Sequence, residues 1–335
     1  MHSLIAALLA ALALVLTGPA VAEQAIVIKF SHVVAEDTPK GRAAVYFAKL
    51  VEQRTKGRVK IQVYPNSQLY NDSKEMAALQ KGSVQMLAPS LAKFGPLGLP
   101  EFEVFDLPYI FDDYADAHRV TFGPIGKELL NKLQSKGIVG LAYWDNGFKQ
   151  MSANRPLKKP EDMKGLKMRV QPSAVLQVQM RTLGAIPEVM DFSAAYQALK
   201  SGAVDGTENP ASNFYTQQMQ DVQKYLSVTH HGYLGYAVIV NRKFWDALPA
   251  DIRASLSAAL RDATIFANDI AAGANIDALE TIERNGKTQV IRFSPQERLE
   301  WKRAVIAVHR QMESRIGKEL IQSIYKETGF DRAKF

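Results

Sequence analysis

Along this chain, short β-branched runs alternate with stretches whose apolar residues recur at helical spacing. Ile26 to Val33 reads as a buried strand. Thr38 then stands as a helix cap with Pro39 at the first helical position. Ala44, Phe47, Ala48 and Val51 follow at i, i+3, i+4 and i+7, up to a stop at Gly57. Val59, Ile61 and Val63 alternate with Lys60, Gln62 and Tyr64, the mark of a half-buried strand. The unit recurs: strands are expected at Ile138 to Tyr143 and Leu166 to Val170, and a helix from Ser173 to Leu183 closed by Gly184. Such alternation predicts α/β domains with mainly parallel sheets. The last third differs, with long helical patterns from Pro249 to about Arg284 and from Pro295 to about Ile316, on either side of a strand-like Thr288 to Phe293.

One short segment echoes another. Ala78-Leu79-Gln80-Lys81-Gly82-Ser83-Val84-Gln85 resembles Ala198-Leu199-Lys200-Ser201-Gly202-Ala203-Val204-Asp205, each a helix ending in glycine and feeding a strand. Two similar halves would produce this echo, and so would the commonness of helix-glycine-strand connections.

Composition narrows the class. The chain has 335 residues, 47% hydrophobic and 22% charged, which excludes disorder and, at roughly 100–200 residues per domain, points to two domains. Cysteine is absent, so disulfide scaffolds and thiolate chemistry are excluded. The net charge of +7 is dispersed, with no run of five or six like charges, so nucleic acid is not an expected partner. Met1 to Ala22 carries no Lys, Arg, Asp or Glu. Its apolar stretch Leu4 to Leu16 leads through Thr17-Gly18-Pro19 to Ala20-Val21-Ala22. This predicts a secretory signal peptide, residues 1–22, cut before Glu23, with a retained anchor as the alternative. The mature protein is expected in the periplasm, since nothing later approaches the ~18 apolar residues of a membrane span.

Catalytic signatures are missing: there is no G-x-S-x-G, phosphate loop, H-E-x-x-H or G-x-G-x-x-G. His230 and His231 would face opposite sides of a strand, which spoils joint metal ligation. The chain therefore reads as a binder, not an enzyme, with no metal and no cofactor expected.

The most specific block runs from Trp144 to Pro210. It contains Asp145-Asn146-Gly147-Phe148-Lys149-Gln150, Lys164-Gly165-Leu166-Lys167-Met168-Arg169-Val170, Asp191-Phe192-Ser193 and Asp205-Gly206-Thr207-Glu208-Asn209-Pro210. Together with Ser67-Gln68-Leu69, Leu107-Pro108-Tyr109 and Phe293-Ser294, these segments closely resemble the DctP-type solute-binding proteins of tripartite ATP-independent periplasmic (TRAP) transporters. The resemblance implies an α/β, two-domain periplasmic binding protein fold with hinge strands, a long domain-spanning helix and the ligand in the interdomain cleft. Domain I would comprise 23–146 plus about 235–274, and domain II 147–234 plus about 275–335. It also implies a monomer serving a small and a large membrane permease subunit.

The resemblance also assigns roles. Arg169 matches an arginine that grips the ligand carboxylate, a task for which a planar, permanently charged fork suits. From pattern alone Arg169 is an exposed strand residue. Asn209 matches a hydrogen-bonding asparagine and is otherwise a turn residue before Pro210. Phe192 matches an aromatic wall and is otherwise core. Lys149 stands where the sialic-acid branch resembles a second arginine, while its surroundings resemble the dicarboxylate branch. A second cation in the cleft would select a dianion, and the plainer reading is a solvated edge lysine. His32, Val33, Asp72, Ser90 and Tyr236 complete the expected site. Val33 and Ser90 replace an asparagine and a glutamate of the sialic-acid branch, which disfavours a sugar acid. The expectation is a periplasmic C4-dicarboxylate-binding protein. The alternatives are a binder of a monocarboxylate, aromatic or sugar acid, a sensory binding protein, and an exported α/β hydrolase or lyase.

Overall fold

The computed structural model describes residues 24–335, so the expected signal peptide lies outside the described residues. Among the described residues eleven strands occur in chain order: β1 (Ile26–Ser31), β2 (Val59–Tyr64), β3 (Met86–Leu87), β4 (Ile138–Phe148), β5 (Gln150–Ala153), β6 (Lys167–Val170), β7 (Ile186–Val189), β8 (Gly206–Asn209), β9 (Tyr225–Ser227), β10 (Tyr233–Asn241) and β11 (Gln289–Ile291). They form two sheets, ordered β2-β1-β3-β10-β4 and β11-β9-β5-β8-β6-β7. Each sheet is parallel except for one strand: β10 runs antiparallel to β3 and β4, and β5 antiparallel to β8 and β9. The expectation of mainly parallel sheets is thus amended by one reversed strand in each, and each reversed strand is one that crosses from the other half.

The echo in sequence has a counterpart in topology. In the first half, β1, helix Pro39–Arg54, β2, helix Asp72–Gln80 and β3 give the order β2-β1-β3. In the second, β6, helix Ala174–Thr182, β7, helix Phe192–Ser201 and β8 give β7-β6-β8. Gly82 and Gly202 end equivalent helices with φ of 77° and 75°, a left-handed conformation open to glycine at little cost.

Local signals account for most elements. Thr38 caps its helix by accepting the Gly41 N–H at 3.1 Å, with Pro39 next in sequence. The strand read as Ile138 to Tyr143 continues to Phe148, because Asp145 and Gly147, poor strand formers alone, pair with Gly235 and Leu234 of β10, with Asn146 as the extra residue at a bulge between them. Gly147 is required there for space: a Cβ would lie 2.6 Å from the Asn275 amide nitrogen. The helical stretch from Pro295 is broken at Ile306 and Met312 into Pro295–Val305, Ala307–Gln311 and Glu313–Ile316, where tighter i→i+3 bonds from His309 to Ile306 and Arg315 to Met312 intervene.

The chain crosses between sheets at Lys149, along 228–232, and along the helix Ala250–Asn285. At ~1.5 Å per residue that helix is about 54 Å long. Its buried stripe of Ile252, Leu256, Ala259, Ala263 and Ala267 packs on the first half, and Leu279 and Ile282 on the second. No helix among the described residues is long and apolar enough to cross a membrane.

A cationic cleft at the carboxyl ends of the strands

Parallel strands from both sheets, β1 and β3 of one and β6 and β8 of the other, end at one cavity, the place where open α/β sheets bind ligands. Val33 and Val34 follow β1, Ser90 follows β3, Gln171 follows β6 and Asn209 ends β8. Together with Arg169, Phe192 and Tyr236 they line a space of ≈ 280 Å³, its open mouth included.

Arg169 is buried, not exposed as its strand pattern alone implied: it shares a strand face with exposed Lys167, but it lies toward the carboxyl end of β6, where it lines the cavity. Its Nε and Nη2 donate to the Met190 carbonyl at 3.0 and 2.8 Å, and its guanidinium carbon lies 5.5 Å from the centre of the Phe192 ring. One edge of the fork is thereby fixed, and Nη1 has no protein partner among the described residues. A carboxylate could approach that free end bidentately.

Several bonds join the two halves around the cavity. Gln171 Nε2 donates to Ser90 Oγ at 2.7 Å, and the backbone N–H of Phe192 donates to Asp72 Oδ2 at 2.8 Å. Asn71 Nδ2 and Ser73 Oγ donate to Asp191 Oδ2 at 2.7 and 3.0 Å. The N-termini of the equivalent helices Asp72–Gln80 and Phe192–Ser201 therefore face each other, and both direct positive dipole ends toward the cleft.

Two lysines that sequence reasoning missed complete the charge pattern. Lys93 bonds Asp72 at 2.6 Å and also pairs with Glu75. Burial works against its charge, but Glu75 and Asp72 hold it firmly protonated. Asp72 feels burial as an upward push, yet Lys93 keeps its carboxyl near pH 2. Lys40 has no carboxylate partner: its Nζ donates to the Ala88 carbonyl at 2.9 Å and lies 3.7 Å from the centre of the Tyr236 ring. Burial, then the charge of Lys93, lowers its pKa to about 7. Arg169 and Lys40 are thus the lining cations with unspent charge, one from each half. Nothing in Thr38-Pro39-Lys40 distinguishes a buried first-turn lysine from a solvated one. Asn213, four residues after Asn209, was equally silent; it donates from Nδ2 to the Tyr236 hydroxyl at 3.4 Å, and Asn146 does so at 2.6 Å.

Lys149 requires a correction. It does not line the cavity. Its Nζ donates to Glu208 Oε1 at 2.9 Å and stands 3.8 Å from Asp106, and Glu208 Oε2 bonds His231 Nε2 at 2.9 Å. Lys149 is 1% exposed, so the solvated-edge reading fails as well. Although burial pushes Glu208 upward, Lys149 and His231 hold it near pH 2, so the lysine's charge is spent inside the hinge. His32 also stays behind the cavity wall, fully buried. Burial and nearby Lys40 lower its pKa to about 3, which keeps the ring neutral. His230 and His231 lie in the crossing segment before β10, not in a strand. Among the described residues no cluster of His, Asp or Glu is placed to hold a metal ion.

The family model of the bacterial extracellular solute-binding proteins, family 7, matches residues 30–315. The chain is 58% identical over 318 residues to the C4-dicarboxylate-binding periplasmic protein DctP of Rhodobacter capsulatus, covering 95% of each chain. It is 43% identical over 300 residues to the C4-dicarboxylate-binding protein DctB of Bacillus subtilis, covering 89% of this chain and 85% of that one. Among solved structures, a TRAP periplasmic solute-binding protein from Shewanella oneidensis with bound succinate superposes with a TM-score of 0.88 at 42% identity, covering 91% of this chain and 99% of that one. One from Pseudomonas aeruginosa with bound L-malate gives 0.83 at 42% identity, covering 85% and 99%.

Proposed function

The chain belongs to family 7 of the bacterial extracellular solute-binding proteins, and on that premise we propose that it captures a C4-dicarboxylate for a TRAP transporter. Succinate, malate and fumarate are the expected ligands, and relatives carrying succinate and L-malate support the choice. The observation that carries this reading is the pairing of unspent cations across one cavity: Arg169 with a free fork end and Lys40 without a carboxylate partner. Burying two carboxylates is costly unless each meets a charge, so the arrangement favours a dianion over a monoanion. Asn209, Asn213, Ser90 and Tyr236 supply neutral hydrogen bonds, and Phe192, Val33 and Val34 cover the carbon chain.

Function follows from closure. A ligand held by Arg169 of one half and Lys40 of the other binds the closed form better than the open one, so it shifts that equilibrium. The halves that move would be residues 23–146 with about 235–274, and 147–234 with about 275–335, though β4 runs on to Phe148 and β10 begins at Tyr233 within the first sheet. The closed monomer would then be read by the small and large permease subunits. Residues 1–22 would direct export to the periplasm and be removed before Glu23. As expected of a solute-binding protein, the ligand would leave unchanged.

Calorimetric titration with succinate, malate, fumarate and acetate tests the reading. The C4-dicarboxylates should bind far more tightly than acetate and raise the melting temperature by mass action. Failure of all three to bind, or acetate binding equally well, would overturn it.

A further inference from the structure

A second groove lies at the hinge, separate from the cleft. It is an open groove of ≈ 980 Å³, the space at its mouth included, and takes its walls from every segment that crosses between the sheets. Phe148 and Gln150 face it from the β4–β5 junction, while Lys149 between them turns to Glu208 on the other side, as strand alternation requires. Ile276 and Leu279 come from the long helix, and Phe293 from the segment after β11. Ile276 is 58% exposed, a large apolar side chain that the fold leaves uncovered at the groove.

The groove holds two arginines in different states. Arg292 is neutralised by a bidentate pair with Glu283 at 2.9 and 3.0 Å. Arg298 has no side-chain hydrogen-bond or ion-pair partner among the described residues, and its Nε is buried without one. No carboxylate lines the groove to compensate it. Arg298 is half-buried, and a Nε donor buried without an acceptor is costly, so beside aromatic and aliphatic walls it suits an anion that also has an apolar body.

We propose that this groove is a second binding site, for a monocarboxylate with an aromatic or branched apolar body, whose carboxylate pairs with Arg298. One side chain links it to the cleft. Asn275, in the groove wall, donates from Nδ2 to the Asn146 carbonyl at 2.7 Å and accepts the Ser212 N–H at 3.0 Å. The Asn146 amide donates to the Tyr236 hydroxyl and to Asn213 Oδ1 at 2.6 and 2.8 Å, and both of those residues line the cleft. Since the groove is built from the crossing segments, its occupant alters the equilibrium between open and closed forms and thereby the affinity of the cleft.

Phenylacetate serves as the probe, followed by methyl NMR of Ile276 and Leu279 in the full mature chain. Binding should shift these signals, persist when succinate saturates the cleft, and survive Arg169→Ala. Arg298→Gln should weaken it about tenfold or more, the loss of one charge-assisted pair, while succinate alone still binds. Ala272→Trp, which fills the groove, should abolish it. Phenylacetate and succinate should change each other's affinity by the same factor. The proposal is overturned if millimolar phenylacetate leaves the signals unmoved, if succinate displaces it competitively, or if both variants bind it as the parent does. An affinity for succinate unaltered by bound phenylacetate overturns the coupling.

Discussion

Asp72 accepts the backbone N–H of Phe192 at 2.8 Å, so a carboxylate of one half sits on the first turn of a helix in the other. The same carboxylate holds Lys93 in place at 2.6 Å. Closure and the charge pattern of the cleft are therefore joined in one residue. Asp72→Ala should weaken succinate binding by about 1–3 kcal/mol, the range for hydrogen bonds involving a charged group. Small-angle scattering of the succinate-loaded variant should show a more open particle. An unchanged affinity and radius would sink the latch.

Acid should reveal the same group. The Asp72 carboxyl is held near 2 against an ordinary value of 3.8, so its contribution to stability is present above pH 4 and lost as pH falls toward 2. Chemical denaturation across that window should show a smaller loss for Asp72→Ala than for the parent chain. Equal losses would mean that the carboxyl is not held down.

Arg169→Ala should cost about 2–5 kcal/mol of succinate affinity, since a ligand carboxylate would be left buried and unpaired. Arg169→Lys should recover only part, because an ammonium cannot hold the Met190 carbonyl from one edge and a carboxylate from the other. Calorimetry showing less than about a tenfold loss for Arg169→Ala would count against the anchor.

Lys40→Met should harm dicarboxylates and leave the weak binding of acetate nearly untouched. With a pKa of about 7 in the free protein, Lys40 loses its charge as pH rises past neutrality, so succinate affinity should decline between pH 6 and 9. That slope should vanish in Lys40→Met. A parent chain whose affinity is flat across this range would exclude Lys40 as the second anchor.

Lys149 should behave as part of the hinge. Lys149→Met leaves Glu208 buried without its cation, a change worth about 3–5 kcal/mol of stability. The double variant Lys149→Met with Glu208→Gln should recover much of it, as read by urea melts, while the preference for succinate over acetate stays unchanged. A selective loss of dicarboxylate binding in the single variant would return Lys149 to the cleft.

The alternation of strand and helix, the cap at Thr38 and the stops at Gly82 and Gly202 are local matters of periodicity and backbone freedom, and the sequence alone determined them. The motifs around Arg169 and Asn209 likewise identified the family. What the sequence could not decide was which charges meet. Lys149 and Lys40 are both buried lysines beside apolar neighbours, and each is equally compatible with a cleft or a core. Their roles depend on Glu208, which lies 59 residues beyond Lys149, and on Asp72 and Glu75, which the fold gives to Lys93 and not to Lys40. Compensation of a buried charge is a property of distance in space, and only the tertiary structure set those distances.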